Sequence, residues 1–600
     1  MKSKLTQSLT LLVCSATIAT TSPAATDQPY ELEPMQVRTA SRSSEDLSAS
    51  LAAVSVISAE DIRRSAAEDL FELLRLEAGI DIVRTGGPGQ QTSVFMRGGN
   101  SNHTLVLIDG IRVSSAHTGA YAWEHLPLNQ VERVEIVRGP RGSMYGSDAI
   151  GGVIQVFTRD VDAPFARVTA GSHASGELET GTGFRWGEVR ISLSAGLRDS
   201  DGYSAQNPDG FSFHPDDDGF NSRNLNISGT GDAGPGSWQF RVTAIENELD
   251  FDQGTSRSEQ VLASASLSGA WRDAWQYRWY AGWNDDRLDS DFEFFATHFD
   301  SRRLDLGWEN RLQIGEGSLG FGLDHYAEEG QSAESYAGDR HNSGLFALWE
   351  QPFAAARLQL SGRWDHNSLF GSELTHQAAI RFAAGDRGEL VLSRGTAFRA
   401  PTLSEQYSPG FGGLFAGNPD LKPESSDSTE LIYRLETGPG SALGLSIFRT
   451  RVEGLIAFTG PDFQAVNVNQ AGLDGIEANY ELRRASWALK TNATFQDSKD
   501  LDSGLSLLRR PERKGSLRYT QDLAEGSWVS AEWFVSGDRL DVASQKLPGY
   551  ALLNLSAGYT LAPAWRLEAR VDNLLDRRFE PARGFNGTAR AAFVSLSWAR

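Results

Sequence analysis

Over most of its length the chain places an apolar residue at every second position. In Val189-Arg190-Ile191-Ser192-Leu193-Ser194-Ala195-Gly196-Leu197 the odd positions are apolar and the even ones polar or glycine. Trp565 to Asp572 repeats the scheme, with Trp565, Leu567, Ala569 and Val571 on one face and Arg566, Glu568, Arg570 and Asp572 on the other. Period two is the mark of strands with two unlike faces. It persists from about residue 161 to the end. A soluble sandwich would also alternate, but with its apolar face inward and fewer repeats. Here one face is lined by charge, which suits a lipid-facing wall around a wide hydrated lumen, and a strand of about 10 residues is enough to cross a bilayer.

Before residue 161 the pattern differs. Short β runs from Ser93 to Arg159 are punctuated by Arg-Gly, Asp-Gly and Gly-Pro turns, the punctuation of a compact, glycine-hinged domain. Asp109-Gly110 joins two apolar runs as a tight hairpin requires. Ser58 with Asp61, and Ser65 with Glu68, have capping-box spacing and predict two short helices. The second would bury Leu70, Leu73, Leu74 and Leu76 and stop at Gly79. A β run from Ile80 to Val83 leads into Gly86-Gly87-Pro88-Gly89, a loop the sequence leaves unexplained. At the start, Lys2 and Lys4, the apolar run Leu9 to Ala19 and Ser22-Pro23-Ala24-Ala25 read as a secretory signal over residues 1–25. A polar stretch follows, expected to be mobile.

Composition narrows the class. Glycine (61) far exceeds proline (21), aromatics make up 10% and mean hydropathy is −0.36, so no segment approaches the roughly 20 apolar residues of a membrane helix. A β-barrel escapes that test. The formal charge of −22 argues against nucleic acid, whose phosphates demand basic surface. The one cysteine, Cys14, lies in the signal segment, leaving no thiol chemistry. Walker, HExxH and supported GxSxG patterns are missing from the sequence, and the histidines are scattered. The reading is a protein that is not an enzyme.

Several segments carry a family resemblance. Arg138 to Arg159, RGPRGSMYGSDAIGGVIQVFTR, resembles the plug signature of TonB-dependent outer-membrane receptors, most closely those that take up cobalamin. TAFRAPTL (396–403) with GNPDLKPE (417–424), and VDNLLD (571–576), resemble the family's mid-barrel and penultimate-strand motifs. Met35, Gln36, Val37, Arg38 and Thr39, continuing to Arg42, resemble the TonB box, which the energy-coupling partner grasps as an added strand and which therefore needs extended backbone with free amides. The resemblance implies an all-β transmembrane barrel of about 22 antiparallel strands, for which residues 161–600 allow about 20 residues per strand and connection. Inside it would lie an α+β plug (46–160), preceded by the box and linker (26–45). The chain departs from the family in ending Trp598-Ala599-Arg600 rather than on an aromatic residue.

The function so implied is uptake of cobalamin or a related corrinoid across the outer membrane of a Gram-negative bacterium, in contact with outer-membrane lipid. TonB, with ExbB and ExbD, would supply work from the proton gradient, and a periplasmic binding protein could receive the cargo. Asp209, Asp216, Asp218, Asp250 and Asp252 gather hard oxygen ligands on what would be neighbouring outer loops, and calcium takes six to eight of these. The resemblance carries a calcium-ligand role onto Asp216, Asp218 and Asp252, with Ser204 standing where the cobalamin receptors have an acid. A merely solvated acidic loop is the alternative. The substrate-facing candidates are Asn100, His103, Ser115, His117, Tyr121 and Trp123 in two polar plug loops suited to a large hydrogen-bonding ligand, although Tyr121 and Trp123 could instead wedge the plug against the wall. Ferric siderophore is the second substrate reading. Haem is disfavoured because no histidine lies between Thr402 and Gly417, and a passive porin would have no use for a plug or a box.

Overall fold

The computed structural model describes residues 35–600 apart from 66, 333–334, 411–414 and 460–462. The expected signal segment and residues 26–34 lie outside the described residues. From Phe165 onward the chain forms one closed antiparallel barrel of 22 strands. Closure comes from pairing the first strand, Phe165–Gly171, with the last, Ala591–Ala599, so no sheet edge is left to seek a partner. Strand connections alternate around the rim. One end has tight turns, as at 187–188, 234–235 and 273–274, and the other has long loops, as at 201–219, 400–423, 501–512 and 573–590. Outer-membrane barrels turn tightly on the periplasmic side and carry long loops outside.

The alternation sorts as the sequence expects. Leu197, Trp565 and Leu567 face outward and are exposed, while Ser192, Ser200, Glu568, Arg570 and Asp572 face inward. The inward charges do not line a hydrated channel, however. They are buried against the plug and neighbouring strands in ion pairs, Arg570 with Glu68 and Asp572, and Glu568 with Arg167. A wall built to hold a plug needs such partners, because an unpaired buried charge is costly.

The plug is a five-stranded sheet in the order Ala53–Ile57, Val131–Arg138, Gly152–Thr158, Thr104–Ile108, Ile111–Arg112, with one parallel pair at its centre. A separate two-stranded hairpin, Ile80–Arg84 with Thr92–Met96, stands beside it. Asp109 and Gly110 both have positive φ, as a two-residue type I′ turn demands. The first expected helix, Ala59–Ser65, is capped as read, with Ser58 Oγ accepting from the Asp61 amide and Asp61 accepting from the Ser58 amide.

The second cap is a correction. The helix spans Leu70–Leu74 behind Asp69, and Ser65 instead ends the first helix, its hydroxyl donating to the Ile62 carbonyl. Gly79 lies beyond the helix rather than ending it. At φ +70° it bends the chain into Ile80–Arg84, and a Cβ there would strike the Glu477 carboxylate. The Gly86–Gly89 loop also finds its reason. A Cβ at Gly86 or Gly89 would collide with Ala205 or Phe220, so the loop nests under the outer loop 201–219, with Tyr203 Oη donating to the Gly86 carbonyl at 3.0 Å.

Candidate energy-coupling and ligand-facing sites

The segment read as a TonB box is not free. Gln36–Val37 pairs antiparallel with Glu45–Asp46, and Val37 is 1% exposed. The next residues are clasped by one carboxylate. Glu135, 0% exposed, accepts through Oε2 from the amides of Arg38 and Thr39 at 2.9 Å each and from Thr39 Oγ1 at 2.6 Å. Tyr145 Oη donates to the Thr39 carbonyl at 2.9 Å. Arg42 then ties the segment to the wall, donating to Glu309 (2.9 Å), Asp324 (2.8 Å) and Tyr280 Oη (2.8 Å) while lying 4.4 Å over the Phe346 ring. Arg38 also reaches Glu309. The expectation of a mobile stretch with open amides is corrected here, because the amides it needed open are the ones Glu135 holds.

Across the barrel interior, the plug is bonded to the wall through charge. Arg97 pairs with Glu430 and Glu477, the latter also meeting Arg138, all of them buried. His103, 2% exposed, accepts at Nδ1 from the Asn100 amide, so Nε2 carries the proton and donates to Glu424 at 2.6 Å. Glu424 accepts on its other oxygen from Arg399 at 2.6 Å, and Arg399 continues to Glu405. Glu405 in turn closes the capping box that starts the helix Leu403–Tyr407 at Thr402. The Phe-Arg-Ala-Pro segment is thus the wall half of a plug–wall junction.

The six substrate-facing candidates divide. His117 is buried, accepting from Tyr336 Oη and donating to the Asp300 carbonyl, each at 2.7 Å, and burial lowers its basicity. Tyr121 and Trp123 meet edge to face at 5.4 Å inside the plug core, against Leu262 of the wall, which is the wedge arrangement. His103 is committed to Glu424. Asn100 and Ser115 stay half-buried at the apex, Asn100 accepting from Arg510 at 2.8 Å and Ser115 building a tight turn with Gly119 and Ala120. Sequence reasoning passed over the aromatic tips of the outer loops. Phe211, Phe415 and Phe463 are exposed, and Phe294 is 92% exposed beside the stacked pair Phe292 and Phe295. Their signal was available, since they are large apolar residues in loops.

Four of the five loop acids come within electrostatic reach. Asp218 is 1% exposed and accepts from the Ala205 amide. Burial, then the charges of Asp252, Asp216 and Asp250, raise it to about 7 against the pull of that amide. Asp252 accepts from the His214 amide at 2.7 Å, and Asp216 pairs with His214 Nδ1 at 2.8 Å. Asp209 stands apart, its amide bonded to Asn207. Ser204 bonds to the carbonyls of Gln206 and His214. Concentrated negative charge around a buried carboxylate fits a cation, although among the described residues no three such groups converge into a ready shell.

Comparison with known proteins places these parts. The TonB-dependent Receptor Plug Domain matches residues 46–153, and the TonB dependent receptor-like β-barrel matches 166–574. The chain is 29% identical to a vitamin B12 transporter BtuB of Vibrio cholerae serotype O1, over 95% of this chain and 96% of that one. It is 27% identical to the BtuB of Photobacterium profundum, over 94% and 95%. In fold it is similar to the ferric enterobactin receptor PfeA of Pseudomonas aeruginosa (TM-score 0.79, 20% identity, 91% of this chain and 99% of that one). It is also similar to the ferric-catecholate import receptor Fiu of E. coli K12 (TM-score 0.80, 14% identity, 96% and 100%). With both domains matched and a plug seated in a closed barrel over a clasped N-terminal segment, the chain belongs to the TonB-dependent receptors, a family of transport receptors rather than enzymes.

Proposed function

We propose that this protein imports cobalamin or a related corrinoid across the outer membrane of a Gram-negative bacterium, with TonB, ExbB and ExbD delivering the work and a periplasmic binding protein receiving the cargo. The observation that carries the substrate is end-to-end similarity to vitamin B12 transporters, over 94–95% of this chain. Likeness to siderophore receptors extends to the fold alone. The outer surface supports the same choice. Exposed aromatic tips on separate loops suit the apolar rim of a large neutral ring, whereas a chain of net charge −22 suits an anionic ferric chelate poorly.

Transport rather than leakage follows from the parts. A plug bonded to the wall bars diffusion, and ligand binding can bias the clasp on Thr39 only by its differential affinity for the two plug states. Accumulation therefore needs work applied through the box. Calcium is proposed to gather Asp216, Asp218 and Asp252, joining the loop 201–219 that sits on Gly86 to the neighbouring strand end, whose Asp250 carbonyl accepts from Gln90 of the plug.

Titration of the purified protein in detergent with cyanocobalamin, with calcium and with chelator, tests both readings. Tight binding weakened by chelator is expected. Binding of ferric enterobactin with none of cyanocobalamin would overturn the substrate, and cyanocobalamin binding indifferent to chelator would overturn the metal.

A further inference from the structure

Carboxylates turned into the barrel typically meet an arginine, as Glu477 meets Arg97, Glu328 meets Arg303 and Arg340, and Asp365 meets Arg363. Glu124 of the plug and Asp286 of the wall do not. Both are half-buried, and among the described residues neither joins an ion pair.

Strand register alone puts Asp286 against the plug. It lies in the strand Trp275–Phe292, directly opposite Ser301 of the next strand, Ala296–Ile314, and residues paired in this way share a face. Ser301 Oγ accepts from the Ala116 amide of the plug at 2.9 Å, so that face is the inner one. On its other side Asp286 is opposite Gln260. Two positions further, Leu262 packs in the cluster that holds Tyr121 and Trp123. Glu124 follows Trp123 in the turn Trp123–His125, and its Oε2 accepts from the Thr92 amide at 3.0 Å.

A third group lacks a partner. Tyr121 is 5% exposed, and its Oη makes no hydrogen bond among the described residues. Burial, then the charges of Asp286 and Glu124, keep the proton on that phenol. Burial also raises the Glu124 carboxyl to about 8 against the pull of the Thr92 amide, and Asp286 adds to the rise. No counter-charge comes from the neighbours in the chain. His125 is kept neutral by burial, which lowers it to about 4. Arg287 and Arg302 pair with Asp285, which alternation turns to the outer face. Two carboxylates within reach of each other oppose each other's ionisation, and a buried hydroxyl without a partner is itself costly.

The geometry assigns to this place a hydrated divalent cation, calcium or magnesium, held by Glu124 from the plug and Asp286 from the wall. Tyr121 Oη accepts a hydrogen bond from one of its waters. Hard cations take carboxylate oxygens, and a magnesium ion reached by only one or two carboxylates keeps several waters. The ion's two charges match the two carboxylates, and it fastens the plug loop 114–125 to the strand Trp275–Phe292. The site uses none of the acids of the outer loops and stands whichever ligand the receptor carries.

Terbium tests it, because this ion takes the same oxygen ligands and luminesces when a neighbouring tyrosine or tryptophan is excited, here Tyr121 and Trp123. The full chain in detergent carries Asp216→Asn, Asp218→Asn and Asp252→Asn, so that the outer-loop acids are silent. It is expected to give sensitised emission that calcium or magnesium displaces. Adding Glu124→Gln or Asp286→Asn should weaken terbium binding tenfold or more. Both replacements keep the side chain's volume, and either decides the matter if the other fails to fold. Emission that survives both replacements overturns the proposal. So does the absence of emission from the loop-silenced chain, which would leave a shared proton as what reconciles the two carboxylates.

Discussion

Asp218 shows how one side chain reports on a whole loop. Its carboxyl is raised from its ordinary value to about 7 by burial and by Asp252, Asp216 and Asp250. Because the folded loop holds the proton more tightly than the unfolded one, the folded loop is favoured most below about pH 4. That advantage is lost as pH rises through about 7, above which the ionised carboxylate weighs in full. A bound divalent cation would remove this penalty, so protection of the 201–219 loop from protease by calcium should grow between pH 5 and pH 8. Asp218→Asn should flatten that growth, and growth unchanged in the variant would exclude the carboxylate as the cause. Glu477 gives a second residue-scale prediction. Its removal leaves Arg97 and Arg138 short of a buried partner, which costs about 3–5 kcal/mol. Glu477→Ala should therefore lower the urea midpoint for plug unfolding while the barrel transition stays in place.

At the scale of elements, the N-terminal segment must leave one set of backbone partners before it can take another. Glu135→Gln weakens three hydrogen bonds to a charged acceptor, each worth about 1.5–3 kcal/mol, and a loss of about 1.4 kcal/mol is already a tenfold gain in open box. Faster maleimide labelling of a cysteine at Gln36, by tenfold or more, is the expected result. Val37→Pro removes an amide from the strand a partner would extend, so energised uptake should vanish while ligand binding to cells persists. Normal uptake by that variant would refute the box assignment. How much of this could be read beforehand depends on range. The Asp109-Gly110 hairpin and the Ser58–Asp61 cap are local chemistry and were legible, as was the wall, because period two is itself a local signal. Ser65 misled because its hydroxyl had a nearer acceptor in the Ile62 carbonyl. The clasp was not legible at all, since Glu135 lies 97 positions from Arg38 and Glu309 lies 271 from it. His103 read as a ligand contact for the same reason, its true partner Glu424 being 321 positions away.

At the scale of the molecule, a closed wall and a plug divide the labour. The wall, with first and last strands paired, has no edge to peel, while the plug pairs no strand with it, being joined by side chains and by single backbone bonds such as Asp148 to the Phe398 carbonyl, and can change its docking without opening the sheet. Deleting residues 46–160 should accordingly leave a barrel that inserts and conducts ions freely, measurable as large steady conductance in a planar bilayer where the full chain gives little. The clasp on Thr39 has a further consequence, for the membrane rather than for the single receptor. On the proposed box assignment, a receptor whose handle is tucked beneath Glu135 and Arg42 makes no claim on the coupling protein until the clasp is undone. Many such receptors can then share a scarce motor without queuing for it, and the motor's effort goes to those whose handles have been let go.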